Sequence, residues 1–129
     1  MRAMKNVLLV ALGGGVGSAL RYLIGLWFVA RFGAGFPWGT FFVNVTGSFV
    51  IGVAISFVAS GLLSTEARLL VAIGLLGGYT TFSTYSYESL ALLQAGRPLL
   101  AAFNVLGQVA LGLAGVYLGT LAGRLLGGA

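Results

Sequence analysis

Residues 77–88, GGYTTFSTYSYE, combine two glycines and five Ser or Thr hydroxyls within an otherwise apolar run. Glycine weakens a helix, and Ser or Thr side chains compete for its backbone hydrogen bonds. A helix interrupted here leaves free carbonyls at the end of its first half, which suit a small hard cation. The start of its second half presents free N–H groups and a positive dipole, which suit an anion. The stretch therefore predicts a helix that breaks at its double glycine, Gly77 and Gly78, and binds ions there.

Two aromatic rings follow the predicted break. Phe82 and Tyr85 are three residues apart, and Thr81, Thr84 and Glu88 continue along the same helical face. Because aromatic rings have a positive edge, stacked ring edges can contact an anion without a full charge. Lipid or core contacts are the alternative for membrane aromatics. Their position beside the break favours the anion role.

Three side-chain amides lie inside other apolar runs. Asn44, Asn104 and Gln108 must find partners there, because an unpaired amide in hydrocarbon costs several kcal/mol. They either bond between helices or line a narrow wet path and donate N–H groups to an anion. Cation paths use acidic residues, and Glu88 is the only carboxylate within a predicted span, so the path favours anions. Arg21 either draws anions into a vestibule, pairs with Glu88, or caps backbone carbonyls.

The overall composition indicates what surrounds these residues. Hydrophobic residues make up 59% and charged residues 7% of the 129 residues, and Asp, His and Cys are missing from the sequence. A soluble domain carries about 25% charged residues, so we expect an integral membrane protein. Imidazole acid–base chemistry, thiol nucleophiles and nearly all transition-metal sites are excluded as well, and we expect no enzyme.

Four stretches reach the roughly 20 apolar residues that a membrane-spanning helix needs. Short connections with turn formers or charges separate them. The sequence therefore predicts one all-α transmembrane domain, residues 1–129, with four transmembrane helices in an up-and-down bundle. The third helix carries the predicted mid-membrane break. The spans are predicted at about residues 5–30, 39–62, 68–94 and 98–124.

The basic residues are nearly balanced between the two ends of the predicted bundle. Four lie on one side and three on the other, namely Arg2, Lys5, Arg68 and Arg124 against Arg21, Arg31 and Arg97. A positive-inside bias normally fixes orientation, so we expect insertion both ways up and an antiparallel homodimer. These scattered charges suit membrane lipid head groups and do not predict nucleic-acid binding.

Three motifs resemble those of a known family. GGGVGSALRY, WGTFFVNVTGSF and GLLGGYTTFSTYSYE are similar, in order and spacing, to the motifs of the CrcB/Fluc family of fluoride ion channels. The resemblance covers nearly the whole chain. It implies an antiparallel dimer with two pores that exports cytoplasmic fluoride passively. It also implies a structural sodium ion at the dimer centre, held by the backbone carbonyls of Gly77 and Thr80 from each copy.

The resemblance also assigns roles to single residues. Asn44 corresponds to the family's pore asparagine, and Phe82 and Tyr85 to its two stacked phenylalanines, the second being Tyr here. Gln108 stands where many members have Ser, and Asn104 where some have Tyr. The family's hydroxyl positions, helix 3 glutamate and vestibule arginine correspond to Thr81, Ser83, Thr84, Glu88 and Arg21.

Two other membrane functions are weaker interpretations. A small multidrug-resistance exporter also has four short helices, but it uses a Glu in its first helix to couple protons, and this sequence has none there. An assembly subunit packed through glycine-rich faces leaves the predicted break unexplained. We therefore expect a fluoride channel in a prokaryotic inner membrane.

Overall fold

The computed structural model describes residues 1–128; residue 129, the last of the predicted domain range, lies outside the described residues. Within the described part the chain is helical, with no strand. The elements are α1 (Arg2–Phe32), α2 (Trp38–Ala59), α3 (Thr65–Arg68), a π-helical segment (Leu69–Leu75), α4 (Leu76–Tyr79), α5 (Phe82–Gln94) and α6 (Pro98–Leu126).

Three of these helices, α1, α2 and α6, are long and apolar enough to cross a membrane. The sequence placed their boundaries within a few residues, because uninterrupted apolar length is a strong signal. The predicted third span is instead divided among α3, the π-helical segment, α4 and α5. The protein is therefore all-helical, with several membrane spans, and its division into four spans stays a prediction.

Glycines let α1 pack closely against the first half of the predicted third span. A Cβ atom added to Gly17 would lie 2.8 Å from the backbone N of Tyr79 and 2.9 Å from the carbonyl carbon of Leu75. A Cβ on Gly74 would lie 2.8 Å from the carbonyl oxygen of Val10. Backbone atoms cannot move aside as a flexible side chain can. These glycines are therefore required for close approach, as is usual between membrane helices.

A second close contact joins α2 and α6. A Cβ on Gly123 would lie 2.6 Å from the Ser56 Cβ, and one on Gly119 would meet the Phe49 carbonyl. Ser56 Oγ also donates to the Thr120 carbonyl of α6 at 3.1 Å. This packing fixes α6 beside α2, the helix that carries Asn44, and so positions the polar residues of both helices.

Helical geometry stops at two threonines. Helix α4 ends at Tyr79, Thr80 and Thr81 are extended, and α5 starts at Phe82. The prediction that the helix stops at Gly77 and Gly78 is wrong, since both glycines are helical. Gly78 instead serves packing, because a Cβ there would lie 2.9 Å from Ser18 Oγ of α1. The depth of the interruption in a membrane stays a prediction.

The threonine hydroxyls take part in ending and starting the helices. Thr80 Oγ1 donates to the carbonyl of Leu76, one turn back, at 2.8 Å. Thr81 is the N-cap of α5, and its Oγ1 accepts from the Thr84 N–H at 3.2 Å. Such local bonds satisfy backbone groups that an interrupted helix leaves unpaired.

Candidate ion-binding site

One amide side chain from α2 holds the interruption. Thr81 is extended, with φ −152° and ψ 122°, so its N–H and C=O groups point to the same side. Its N–H donates to Asn44 Oδ1 at 2.8 Å, and Asn44 Nδ2 donates to its carbonyl at 3.0 Å. The amide of Asn44 thus replaces the helical partners that Thr81 has lost.

A chain of side-chain hydrogen bonds continues from Asn44 into α6 and back to α5. Asn44 Nδ2 donates to Gln108 Oε1 at 2.7 Å, and Gln108 Nε2 donates to Asn104 Oδ1 at 2.8 Å. Asn104 Nδ2 donates to Ser89 Oγ at 2.9 Å, and Ser89 Oγ donates to the Tyr85 carbonyl at 2.7 Å. All three amides therefore have partners in other helices, which is the interhelical alternative that the sequence left open.

Some backbone carbonyls around the interruption accept a hydrogen bond, and others do not. Arg21 Nε donates to the Gly78 carbonyl at 2.9 Å, so Arg21 caps a backbone carbonyl, one of the three roles considered for it. The Leu76 carbonyl accepts from the backbone N of Thr80 at 3.0 Å. Within residues 1–128, no hydrogen bond ends on the carbonyls of Gly77 or Thr80. These two oxygens keep their full capacity to bind a cation.

The two aromatic rings differ in their surroundings. Their centroids lie 5.6 Å apart with an interplanar angle of 38°. Tyr85 is 9% exposed and donates its hydroxyl to the Val105 carbonyl at 3.0 Å, whereas Phe82 is 78% exposed. Phe82 is therefore not a core residue of the single chain.

A partly open cavity of about 400 Å³ brings many of the predicted site residues together. The predicted residues that line it come from α2, α4, the interruption, the start of α5, and α6. They are Asn44, Gly77, Thr80, Thr81, Phe82, Tyr85 and Gln108. The cavity therefore combines backbone carbonyls, an amide and ring edges in one place.

The remaining predicted residues lie around this cavity and do not line it. Thr84 is half-buried and accepts from the Thr81 hydroxyl at 3.0 Å, and Ser83 is exposed, 3.3 Å from the same hydroxyl. Glu88 accepts from Thr40 Oγ1 at 2.5 Å and lines a separate cavity of about 460 Å³. The pairing of Arg21 with Glu88 is not found in the described residues. Asn104 is fully buried and Arg21 half-buried.

Sequence reasoning missed several polar partners. Thr40 lies one turn before Asn44 and Ser48 one turn after it, so the four-residue stripe could have identified Thr40. The hydroxyl of Tyr79 lies 2.9 Å from Thr46 Oγ1, which itself donates to a backbone carbonyl. The contact between Tyr79 and Thr46 fixes the last residue of α4 to α2. No local pattern in the sequence predicts it.

One ion pair lies apart from the cavity. Lys5 Nζ is 3.4 Å from Glu66 Oε1, and both side chains are exposed. Backbone hydrogen bonding lowers the pKa of Glu66 below its usual range, and the Lys5 ammonium lowers it further. This pair joins the start of α1 to α3 and takes no part in the cavity's chemistry.

Apolar spans around a cavity of carbonyls, amides and ring edges define a membrane protein built for ion transport. A family model described as "CrcB-like protein, Camphor Resistance (CrcB)" matches residues 8–120. The chain belongs to the CrcB family.

Curated relatives are similar in sequence to this chain over nearly its full length. A relative from Thermus thermophilus, "Fluoride-specific ion channel FluC", is 52% identical over 96% of this chain and 98% of its own. Relatives of the same name from Rhizobium meliloti and Chloroflexus aurantiacus are each 46% identical. They cover 90% and 97% of this chain and 94% and 100% of their own. The family is therefore one of ion channels and not of enzymes.

Proposed function

We propose that this chain is a fluoride-selective channel that lets fluoride leave the cytoplasm passively across a prokaryotic inner membrane. The observation that carries the proposal is the interruption at Thr80 and Thr81, held open by Asn44 beside the exposed ring of Phe82. The relatives named as fluoride channels match this chain through the same region. Passive movement, down the fluoride gradient, is part of this proposal.

Fluoride is small and strongly hydrated, so a pore must replace its water with other donors at each step. Asn44 uses both Nδ2 hydrogens on protein acceptors, so it supports the path mainly by holding its shape. The donors that face the ion in the cavity are then the Gln108 amide and the ring edges of Phe82 and Tyr85. The hydroxyls of Ser83 and Thr84 lie beside the cavity and continue the path. A row of such weak donors along a narrow pore binds the ion strongly enough to admit it and weakly enough to release it.

A structural sodium ion fits the uncapped carbonyls. The oxygens of Gly77 and Thr80 have no donor within residues 1–128, and carbonyl oxygen is a suitable ligand for a hard cation. Two carbonyls from one chain are too few for such an ion, so the proposal requires the same pair from a second copy. A bound cation would also place positive charge near the anion path. Higher thermal stability in sodium than in potassium chloride, measured without fluoride, would support this site.

The second copy also covers surface that lipid tolerates poorly. Gly77 and Ser83 are exposed beside the extended residues at the interruption, and irregular backbone inside a membrane must face protein or water. We propose that two chains meet on this face in opposite orientations. The nearly equal number of basic residues on the two ends supports insertion both ways up.

Fluoride efflux tests the function. Purified protein is placed in liposomes loaded with potassium fluoride or potassium chloride, and valinomycin carries the compensating potassium. We expect rapid release of fluoride and none of chloride above the protein-free control. Equal release of the two anions, or no fluoride release from correctly assembled protein, contradicts the proposal.

A further inference from the structure

We propose that Asn104 is a positioning residue that holds the side-chain amide of Gln108 so that one Nε2 hydrogen faces the anion path. The inference rests on the proposed function, because it assigns the way in which one donor of that path is oriented. It gives Asn104 a role through its neighbour and not by contact with the ion.

The direction of the amide chain is set at the interruption. The backbone N–H of Thr81 can only donate, so the oxygen of Asn44 must face it, as the 2.8 Å contact requires. The Nδ2 group of Asn44 then points toward Gln108. Because Nδ2 donates, the acceptor on Gln108 must be its Oε1, at 2.7 Å. The Nε2 group of Gln108 is therefore directed away from Asn44, and its two hydrogens are available to other acceptors.

Asn104 takes one of those two hydrogens. Its Oδ1 accepts from Gln108 Nε2 at 2.8 Å, so both ends of the Gln108 amide are held. The other Nε2 hydrogen has no acceptor within residues 1–128, and Gln108 lines the cavity that also contains Phe82 and Tyr85. A donor fixed at that place is suited to an anion, because hydrogen bonds to a charged partner are the stronger ones.

Burial separates the roles of the two residues. Asn104 is 0% exposed and does not line the cavity, whereas Gln108 is 6% exposed and does. Asn104 is in turn held by Ser89, whose hydroxyl accepts from its Nδ2 at 2.9 Å. Asn104 thus reaches the cavity only through its neighbours, directly through the Gln108 amide and less directly through Ser89 to the Tyr85 backbone.

Fluoride efflux of Asn104→Leu tests the inference, with Thr120→Val, another polar-to-apolar change on α6, as the matched control. Leu keeps the branch at Cγ but has no acceptor, so the Gln108 amide is held only at its oxygen and its donor is no longer fixed. We expect fluoride efflux to fall by roughly tenfold, which corresponds to about 1.4 kcal/mol, because one hydrogen bond to the charged ion is weakened. Thr120 Oγ1 donates to the Val116 carbonyl of its own helix at 2.8 Å, so Thr120→Val is expected to keep efflux within about twofold of wild type.

A double-substitution cycle distinguishes positioning from a general structural effect. Gln108→Met removes the amide while keeping its length, so adding Asn104→Leu to it should cause no further fall in efflux. A further fall of about tenfold in the double variant, or normal efflux in Asn104→Leu alone, overturns the inference. Size-exclusion chromatography of each variant confirms that its assembly matches wild type.

A readout without flux separates this inference from the proposed function. In ¹⁵N-labelled protein in micelles, the cross-peak pair of the Gln108 side-chain amide is identified by its loss in Gln108→Met. We expect Asn104→Leu to move the hydrogen-bonded proton of that pair upfield and Thr120→Val to leave it in place. An unchanged pair in Asn104→Leu overturns the inference even if no fluoride moves. A moved pair in a protein that releases no fluoride refutes only the channel.

Discussion

Replacing Asn44 by Leu removes the amide that holds the interruption. Three groups lose their partners: the N–H of Thr81, its carbonyl, and Gln108 Oε1, now paired at 2.8, 3.0 and 2.7 Å. An unpaired buried polar group costs about 1–3 kcal/mol. Asn44 is half-buried and lines a partly open cavity, so water replaces part of the loss and the lower limit applies. We expect Asn44→Leu to lose about 3 kcal/mol of unfolding free energy, as a sum of three such costs.

Unfolding in detergent micelles with a rising fraction of dodecyl sulfate, followed by circular dichroism, measures this loss. Ser48→Ala is the matched control, because Ser48 Oγ donates only to the Asn44 carbonyl one turn back, at 2.6 Å. Such bonds add little to a helix, so we expect a change below about 1 kcal/mol. If Asn44→Leu is as stable as Ser48→Ala, the amide does not hold the interruption and the reasoning is refuted.

Three further outcomes follow from the same contacts. Phe82→Ile is expected to abolish fluoride efflux while the protein assembles as wild type does. Tyr87→Ile, at another exposed ring, is expected to keep efflux. Normal efflux in Phe82→Ile refutes the ring-edge role. Gly17→Ala forces a Cβ against the backbone of α4, so we expect a loss of about 1–3 kcal/mol. Gly15→Ala has open space and should not destabilise; equal thermal stability of the two variants contradicts the close-packing argument. Because the pKa of Glu66 is lowered in the folded state, its ionised form stabilises the fold above the unfolded pKa, and this stabilisation is lost as the pH falls through the folded pKa. Thermal unfolding of Glu66→Gln should be slightly easier than that of wild type at about pH 7 and equal at about pH 3; a difference that persists in acid rules out this linkage.

Apolar length explains most of what the sequence predicted. The ends of α1, α2 and α6 lie within three residues of the predicted spans, because a membrane helix needs a continuous apolar run and little else. The π-helical segment Leu69–Leu75 had no such signal. It lies against α1 where glycine backbones are in contact, so it depends on tertiary packing.

The sequence predicted which residue types form the candidate site but not which of them are hydrogen-bonded to each other. Hydroxyls and glycines in residues 77–88 indicated an interruption, yet Gly77 and Gly78 were given the role that Thr80 and Thr81 have. Glycine permits a break without requiring it. The Asn44 contact with Thr81 joins residues 37 positions apart. Pairing at that separation depends on how α2 packs, and the sequence pattern alone does not contain it.

We propose that the cavity at the interruption conducts fluoride and rejects chloride. The most direct test is the reversal potential of the wild-type current in planar bilayers with independent fluoride and chloride gradients. We predict a reversal potential that follows the fluoride gradient and does not move when the chloride gradient is changed. A reversal potential that shifts with the chloride gradient contradicts the claim.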